Sequence, residues 1–408
     1  MPHPLKLSAT EKAALAFVQR VLSRLQQGHL RLIIGDTEHH YGEPAATARL
    51  HAQAQIHDGR ALTAILRQAS IGVGESYMQG HWSTPDLTAL VRLMVLNLAA
   101  FNRLDHDRPW PLRLLHRLSQ VRPRSNRRAA RRNIAAHYDL SNDFFALFLD
   151  PTMTYSCALF PRPDSSLEQA SIHKVKTLCD KLQLTERDHL LEIGTGWGFL
   201  ARYAAQHYGC RVTTTTLSEQ QYQYARQQIR AHNLENQIQV LRRDYRDLTG
   251  TYDKLVSVEM IEAVGHRHFD RYFATCDRLL KPHGLMALQA ITIADQHYQR
   301  ATRYRDFIQK HIFPGGGLPG HTVIADCLRR KTTMQILTMQ DIGADYARTL
   351  KIWRRNFLNR LDEVRKLGFD DSFIRMWEYY LCYCEGGFLE RSISATQMLI
   401  AAPNWHPS

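Results

Sequence analysis

The stretch His189–Leu200, HLLEIGTGWGFL, has the pattern of a buried strand that leads through a glycine-rich turn into a helix. Its short apolar run is typical of a parallel strand, and Gly194, Gly196 and Gly198 follow at alternating positions. Glycine permits positive φ and a close approach of ligand to backbone, while the free N–H groups of the next helix attract that ligand. The stretch therefore predicts a ligand site on an α/β sheet. A glycine-rich turn that binds nothing is the alternative when it is taken alone.

The strands that follow restrict the class of nucleotide-like ligand. The dinucleotide fingerprint needs a later third glycine and an acid about 20 residues on, but Phe199 takes that glycine's place and the second strand, Arg211–Leu217, has no carboxylate. A P-loop is excluded because the chain has no G-K-[ST]. Two residues that could bind an adenine follow the third strand, Ile238–Leu241. The carboxylate of Asp244 suits the exocyclic amine, and the ring of Tyr245 suits the face of the base. These features favour S-adenosylmethionine, and hence a methyltransferase.

The composition describes a large basic protein. Its 408 residues suffice for two domains, and its net charge of +13 predicts attraction to nucleic acid or to an acidic membrane, although a basic surface can also merely aid solubility. The 7 cysteines are scattered and no signal peptide is evident, so we expect reduced thiols in the cytoplasm. Histidines and cysteines lack metal-ligand spacing, so no metal is expected. The longest apolar segment, Leu87–Leu98, is too short to span a bilayer.

The first 110 residues show helical and alternating patterns that predict a smaller α+β domain. We expect helices and half-buried strands here, namely helices at Leu5–Gln26, at Arg60–Ser70 and from Pro85, and strands at Leu30–Ile34 and Leu50–Ile56. Between them, Ile71–Gly80 is predicted to be a loop because three glycines interrupt it.

A basic stretch, residues 111–132, follows this region. An amphipathic helical pattern leads into a cluster of arginines, Arg122, Arg124, Arg127, Arg128, Arg131 and Arg132. Such a stretch can lie on anionic lipid, with a solvated linker between domains as an equally good alternative. Nucleic acid is not the expected partner, because no aromatic stacking platform accompanies the charge.

Several motifs, in order, resemble the cyclopropane fatty acid synthase family. They are N-I-A-A-H-Y-D-L-S-N-D-F-F from Asn133, D-P-T-M-T-Y-S-C at Asp150–Cys157, L-E-I-G-T-G-W-G-F-L-A in the glycine turn, D-Y-R-D-L at Asp244–Leu248, F-P-G-G-G-L-P at Phe313–Pro319 and G-A-D-Y at Gly343–Tyr346. In the first region, G-V-G-E-S-Y-M-Q-G-H-W resembles the additional domain of the full-length bacterial members that act on phospholipids.

The resemblance implies a class I methyltransferase with a seven-stranded doubly wound sheet in residues 133–408, a linker at 111–132 and an N-terminal domain at 1–110. It implies methyl transfer from S-adenosylmethionine to a cis double bond of a phospholipid acyl chain, with a cyclopropane fatty acid as the first product expected. It further implies a homodimer. With the basic charge, it predicts a cytoplasmic enzyme held peripherally on the anionic inner face of the membrane.

The resemblance also carries site residues over by position. The implied cofactor contacts, together with Asp244 from the strand pattern, are Tyr155, Ser156, Gly194, Gly196, Thr216, Leu217, Gln221 and Tyr245. As base it implies a bicarbonate ion, held by Cys157, Glu262, Gln289, Tyr346 and the backbone of Ile291. Each of these residues taken alone is ordinary, a buried thiol or a helix-start carboxylate for example. Their joint match to the family pattern favours function.

Two residues depart from the family pattern. Gln289 stands where the family has histidine, and an amide cannot be a cation or relay a proton. Glu259 places a carboxylate where small residues are common in the family. A base site altered in this way could remove a different proton and leave a methyl-branched or methylene product. A methyltransferase of soluble small molecules and a lipid-binding protein without turnover are the remaining alternatives.

The last third of the chain is expected to complete the sheet. Thr292–Asp345 is an insertion predicted to cover the acyl pocket, although ordinary packing explains its aromatic residues nearly as well. We expect two helices and a final strand after it, at Tyr346–Leu367, Asp371–Cys384 and Ala395–Ile400.

Overall fold

A computed structural model describes residues 5–102 and 140–407. The basic stretch 111–132 and the motif that begins at Asn133 lie largely or wholly outside these residues. The described residues form two compact units. Unit 1 contains residues 5–102, 303–310 and 357–392, and unit 2 contains residues 140–302, 311–356 and 393–407.

The helices and strands of the described residues follow one another along the chain. In order they are α1 (Ala9–Leu22), β1 (His29–Ile34), β2 (Thr37–Gly42), β3 (His51–Ile56), α2 (Arg60–Gln68), α3 (Ser70–Met78), β4 (Trp82–Ser83), α4 (Leu87–Leu96), α5 (Leu98–Asn102), α6 (Asn142–Ala146), α7 (Leu167–Lys181), β5 (His189–Ile193), α8 (Phe199–Tyr208), β6 (Arg211–Thr215), α9 (Glu219–Ala231), β7 (Ile238–Leu241), β8 (Tyr252–Val258), α10 (Ile261–Val264), α11 (Phe269–Leu279), β9 (Leu280–Ile293), α12 (Asp295–Arg303), α13 (His321–Lys331), β10 (Gln335–Asp341), α14 (Gly343–Leu358), α15 (Leu361–Lys366), α16 (Asp371–Leu389) and β11 (Ile393–Ala401).

Unit 2 is built on a seven-stranded sheet with the order β10-β11-β9-β8-β5-β6-β7. The five strands from β5 to β9 are parallel, whereas β11 runs antiparallel to both β9 and β10. The expected class I methyltransferase sheet is confirmed. The strands β6 and β7 lie on one side of β5, and β8 and β9 lie on the other, so the order of the strands reverses at β5. Ligands of such sheets bind at the carboxyl ends of the strands beside that point.

The centre of this sheet is apolar on both faces. On β9, Leu285, Met286, Ala287 and Leu288 are fully buried, as are Leu190 and Leu191 on β5. Near-continuous apolar runs of this kind are expected where helices cover both faces of a parallel sheet. The rigid centre fixes where each strand ends, and thereby positions the residues that follow it.

Unit 1 has a four-stranded sheet with the order β2-β1-β3-β4. The predicted loop at Ile71–Gly80 is wrong, since α3 covers most of it. A Cβ at Gly72 would lie 2.1 Å from the carbonyl oxygen of Ala64, and one at Gly74 would lie 2.3 Å from the Phe307 ring. These glycines therefore allow close packing of a helix and do not mark a turn.

Besides the two-residue strand β4, the strands β2 and β10 were not predicted. Both lie at sheet edges, and most of their residues are exposed or only partly buried. An edge strand that faces solvent needs no alternation of apolar and polar residues, and β2 (TEHHYG) has none. The sequence pattern therefore contains no signal for them.

The division into units differs from the predicted domain ranges at residues 303–310 and, over a longer segment, at residues 357–392. This segment, expected in the catalytic domain, packs α16 against α3 and α4 of unit 1. Thr88 on α4 donates a hydrogen bond of 3.1 Å to Glu385, and Tyr77 on α3 donates one of 2.8 Å to Glu378. Such contacts between distant parts of the chain leave no mark in local composition. Within residues 5–102 and 140–407, no helix has the length and apolar character to cross a membrane.

Candidate active site

The glycine turn after β5 forms the predicted cradle at the carboxyl edge of the sheet. Gly194, Gly196 and Gly198 have φ values of +103°, +52° and +86°, which L side chains rarely adopt. A Cβ added at Gly196 would meet nothing within 4 Å, so open space lies beside this backbone. Gly198 caps α8. The turn therefore fits a ligand that approaches the backbone closely, as S-adenosylmethionine must do here.

The residues expected at the ribose and the adenosine lie together after β6. The Thr216 hydroxyl donates a hydrogen bond of 2.9 Å to the Gln221 side chain, and Ser218 caps the N-terminus of α9. Thr216 and Gln221 are buried, and Leu217, which follows Thr216 in the chain, is half-buried. The structure thus brings these three residues to the same sheet edge as the glycine turn.

Asp244 and Tyr245, expected at the adenine, follow β7 and have protein partners. The Asp244 carboxylate accepts hydrogen bonds from the backbone and the side chain of Arg246, at 3.0 and 2.8 Å. The Tyr245 ring is buried edge-on against Tyr272, with 5.7 Å between centroids. Their contacts to an adenine stay predictions.

A carboxylate at the end of β8 is the centre of the second part of the site. Glu259 accepts hydrogen bonds from the backbone N–H of Cys157 at 2.8 Å, from the amide of Gln289 at 2.8 Å and from the hydroxyl of Tyr346 at 2.6 Å. The three donors come from the segment before α7, from β9 and from α14, so the fold converges on this side chain. Desolvation raises the pKa of Glu259, and these three hydrogen bonds oppose the rise.

Glu262 is a second acid of the site, three residues after Glu259 in the chain and within α10. Its Oε1 accepts a hydrogen bond from the backbone N–H of Ile291, whereas the resemblance implied that both residues would hold the bicarbonate. Its buried Oε2 has no hydrogen-bond partner among the described residues. Desolvation, then the charge of Glu259, raises the pKa of Glu262 to about 8. Near neutral pH, therefore, Glu262 is mostly protonated, whereas Glu259, whose two oxygens accept three hydrogen bonds, is the member of the pair better stabilised as an anion.

The Cys157 thiol forms its hydrogen bonds with backbone carbonyl oxygens. Its Sγ donates to the carbonyl oxygens of Ala158 at 3.2 Å and Ile342 at 3.7 Å, and only its backbone N–H reaches the carboxylate. Burial, then the charge of Glu259, raises the pKa of the thiol well above its usual value. Cys157 is therefore a neutral residue that contributes a backbone donor.

A chain of side chains fixes the amide of Gln289. Its oxygen accepts a hydrogen bond of 3.0 Å from Gln397 on β11, whose own oxygen accepts one of 2.6 Å from Lys181. This leaves the NH₂ group of Gln289 to donate to Glu259 and, at 3.2 Å, to the carbonyl oxygen of Cys157. The sequence analysis did not identify Gln397 or Lys181, because nothing local links them to Gln289.

Lys174 is a further residue that the sequence analysis missed. It is 2% exposed and donates a hydrogen bond of 3.0 Å to Ser156, one of the expected cofactor contacts. Burial lowers its pKa, and the charge of Glu259 is the largest opposing influence. A lysine on the apolar stripe of α7, between Ser171 and Leu178, was the available signal. The buried cation partly balances the charge of the carboxylate.

The expected bicarbonate does not fit this arrangement. Three of its five expected ligands, Cys157, Gln289 and Tyr346, donate to Glu259, and a fourth, the Ile291 N–H, donates to Glu262. A second anion would lie beside Glu259 with its donors already engaged, at a high cost in a desolvated site. Among the described residues, no group of three or more His, Cys, Asp and Glu side chains is arranged to hold a metal ion.

Comparison with known proteins places this geometry in a family. The profile of the mycolic acid cyclopropane synthetase family matches residues 125–398. The tuberculostearic acid methyltransferase UfaA1 of Mycobacterium tuberculosis is 42% identical over 388 residues, which cover 92% of this chain and 89% of that protein. The cyclopropane-fatty-acyl-phospholipid synthase of Escherichia coli is 37% identical over 83% of this chain and 84% of its own length.

A solved structure is also similar to this chain in sequence and fold. The mycolic acid cyclopropane synthase CmaA1, complexed with SAH and CTAB, is 30% identical and superposes with a TM-score of 0.63 over 69% of this chain and 99% of its own. SAH is the product that S-adenosylmethionine leaves after methyl transfer. The chain belongs to the mycolic acid cyclopropane synthetase family and is an S-adenosylmethionine-dependent methyltransferase of the cyclopropane synthase type.

Proposed function

We propose that the protein transfers the methyl group of S-adenosylmethionine to a cis double bond in an unsaturated acyl chain of a membrane phospholipid. The observation that carries this proposal is the pairing, at one sheet edge, of an open glycine turn with the carboxyl group of Glu259, which accepts three hydrogen bonds. Methylation of an alkene leaves a carbocation, which needs both negative charge and a proton acceptor. A relative named as a cyclopropane-fatty-acyl-phospholipid synthase supports the phospholipid as substrate.

The residues of this chain divide the work between binding and electrostatics. Gly194 and Gly196 leave room for the cofactor, and Thr216 and Gln221 would hold its ribose. The sulfonium of the bound cofactor supplies an electrophilic methyl group. Glu259 places a fixed negative charge where the carbocation forms, and such preorganised charge is worth several kcal/mol in catalysis, on the order of 3 kcal/mol.

The product depends on which proton is removed. Removal from the transferred methyl group closes a cyclopropane, the first product we propose, whereas removal from a neighbouring chain carbon leaves a methyl-branched chain with a double bond. A methylene group results when a hydride first shifts to the cationic carbon and the methyl group then loses a proton. A product other than the ring is a specific candidate here, because a carboxylate held by Gln289 and Tyr346 forms the anionic group of this site. The relatives include one named as a methyltransferase and one as a cyclopropane synthase.

We further propose that the enzyme works as a homodimer on the cytoplasmic face of an anionic membrane. The net charge of +13 supports the attachment to an anionic membrane, since each cation near such a surface contributes about 1 kcal/mol, and the family resemblance supports the dimer. Binding to liposomes of rising anionic lipid content measures the attraction, which we expect to weaken with salt.

The test is incubation of the pure protein with methyl-labelled S-adenosylmethionine and vesicles of unsaturated phospholipid. We expect label in the fatty acids released from the lipid, and none with saturated phospholipid. Absence of label from the unsaturated acyl chains would contradict the proposal. Proton NMR and ring-specific degradation of the labelled acids then separate the cyclopropane from the methyl-branched and methylene products.

A further inference from the structure

We propose that Glu259 is the catalytic base of the reaction, a carboxylate built into the chain in the place that the family resemblance gives to bicarbonate. The inference rests on the proposed function and adds to it the group that takes the proton. Its first support is geometric: Glu259 receives the hydrogen bonds of Cys157, Gln289 and Tyr346, three of the positions expected to hold the free anion.

A carboxylate can replace bicarbonate because the two ions share the features that the site recognises. Each carries one negative charge shared by two oxygens in a plane, and those oxygens accept hydrogen bonds. Bicarbonate also keeps an O–H donor, which an ionised carboxylate lacks. Here Oε1 accepts from the Cys157 N–H and the Gln289 amide, and Oε2 accepts from the Tyr346 hydroxyl. Both oxygens are therefore oriented by the protein, which needs no ion from solution.

The backbone at Glu259 gives a second, independent indication. Its φ is +50°, a left-handed conformation that costs a residue other than glycine on the order of 1 kcal/mol. The conformation is held by the Glu259 N–H, which donates a hydrogen bond of 2.7 Å to the carbonyl oxygen of Gln289. Strain of this kind persists where the surrounding structure over-determines it, and it clusters at functional sites.

Gln289 suits a base of this kind. Because Gln397 occupies its oxygen, the amide presents N–H groups to Glu259 and stabilises the charged carboxylate. An amide cannot accept the proton afterwards. The proton therefore remains on Glu259 until it is passed to solvent, and no relay through position 289 is needed.

The step balances with the groups present. The π pair of the alkene forms a bond to the methyl carbon as the C–S bond breaks and its pair stays on sulfur, which leaves a carbocation on the other alkene carbon. The Glu259 carboxylate then takes a proton either from the transferred methyl group, whose C–H pair closes the ring onto the cationic carbon, or from a chain carbon next to the cation, whose C–H pair forms a double bond. Neutral Glu259 releases its proton to solvent, which restores the starting state.

The first test measures binding and needs no turnover. Carbon-13 NMR of labelled bicarbonate should show no binding to the wild-type protein, and binding to Glu259→Gly, whose glycine fits the +50° backbone and vacates the donors. Glu235→Gln, at an exposed ion pair with Arg230, is the matched control and should behave as wild type. Saturable binding of bicarbonate to the wild-type protein would overturn the inference, even if the enzyme proved inactive on phospholipid.

The second test measures turnover on unsaturated vesicles with labelled cofactor. Glu259→Gln should bind the cofactor as wild type does but lose at least about 100-fold in kcat, the usual contribution of a general base. Glu259→Gly should regain activity as bicarbonate is added. An active Glu259→Gln, or a Glu259→Gly that bicarbonate does not rescue, would contradict a base at this position. An inactive wild-type protein would instead contradict the proposed function.

Discussion

The glycine turn and the carboxylate site meet at one sheet edge but are built in opposite ways. The turn is made of consecutive residues, and its ligand site is the backbone itself, shaped by positive φ at Gly194 and Gly196. The carboxylate site is made of side chains from distant segments, and Glu259 alone joins residues 102 and 87 positions away. On this account the backbone of the fold forms the binding site of the methyl donor, whereas individual side chains determine which group accepts the proton.

The largest effect is expected at the carboxylate site. Tyr346→Phe removes the hydroxyl donor of Glu259, and should lower kcat about 10- to 100-fold, since a hydrogen bond to a charged group contributes about 1.5–3 kcal/mol. Cofactor affinity, measured by calorimetry, should not change. Tyr208→Phe is the matched control, because the Tyr208 hydroxyl donates a hydrogen bond of 2.6 Å to the carboxylate of Asp180 on the exposed surface. An equal loss of kcat in Tyr346→Phe and Tyr208→Phe would contradict a specific role of the carboxylate site in the reaction.

Substitution at the turn should give the converse result. Gly196→Ala places a Cβ at φ +52° in open space, where the cofactor would lie, and should weaken S-adenosylmethionine about tenfold or more. Gly250→Ala is the matched control: its φ is +85°, and a Cβ there also meets nothing within 4 Å. Both variants should lose similar stability, on the order of 1 kcal/mol, but only Gly196→Ala should lose affinity. Unchanged affinity in Gly196→Ala would show that the cofactor does not approach this turn.

The same contrast explains what the sequence could predict. The turn and the parallel strands follow from local patterns, whereas the resemblance supplied the cofactor residues after β6 and placed Glu262, Ile291 and Tyr346 in the site. The sequence also showed that Glu259 and Gln289 depart from the family. That Glu259 occupies the expected bicarbonate ligands could not be read from it, because the contacts join four separate elements.

Other differences have equally specific physical causes. The glycines of α3 indicated a loop because close packing and positive φ require the same residue type, and only the structure separates the two. The buried Lys174 was detectable, since a lysine on an apolar stripe needs a partner. Gln397 was not, because its role depends on the antiparallel pairing of β11 with β9.

A smaller effect is expected one step behind the base. Gln397→Leu removes the donor that fixes the Gln289 amide, so Glu259 loses part of its stabilisation as an anion and its pKa rises. We expect kcat to fall about threefold to tenfold, the loss of one hydrogen bond of about 1 kcal/mol, and the acidic limb of the pH–rate profile to move to higher pH. Gln223→Leu on the exposed face of α9 is the control. A lower kcat with an unmoved limb would assign Gln397 a structural role only.

The smallest effect concerns stability. Because desolvation raises the pKa of Glu262 to about 8, the folded protein holds a proton that the unfolded chain releases above its ordinary value of 4.5. The contribution of this group to stability is therefore full below pH 4.5 and declines as the pH rises to 8. Glu262→Gln removes the decline, so thermal unfolding should show this variant gaining on the order of 1 kcal/mol relative to wild type between pH 7 and pH 8. A difference independent of pH would mean that Glu262 is ionised throughout.

The rate of label transfer to unsaturated phospholipid, measured while bicarbonate is removed from and returned to the buffer, tests the central claim most directly. With Glu259 as the built-in base, the wild-type rate stays the same from carbon dioxide-free buffer to saturating bicarbonate. A rate that falls on removal and returns on addition would contradict the account, because the base would then come from solution.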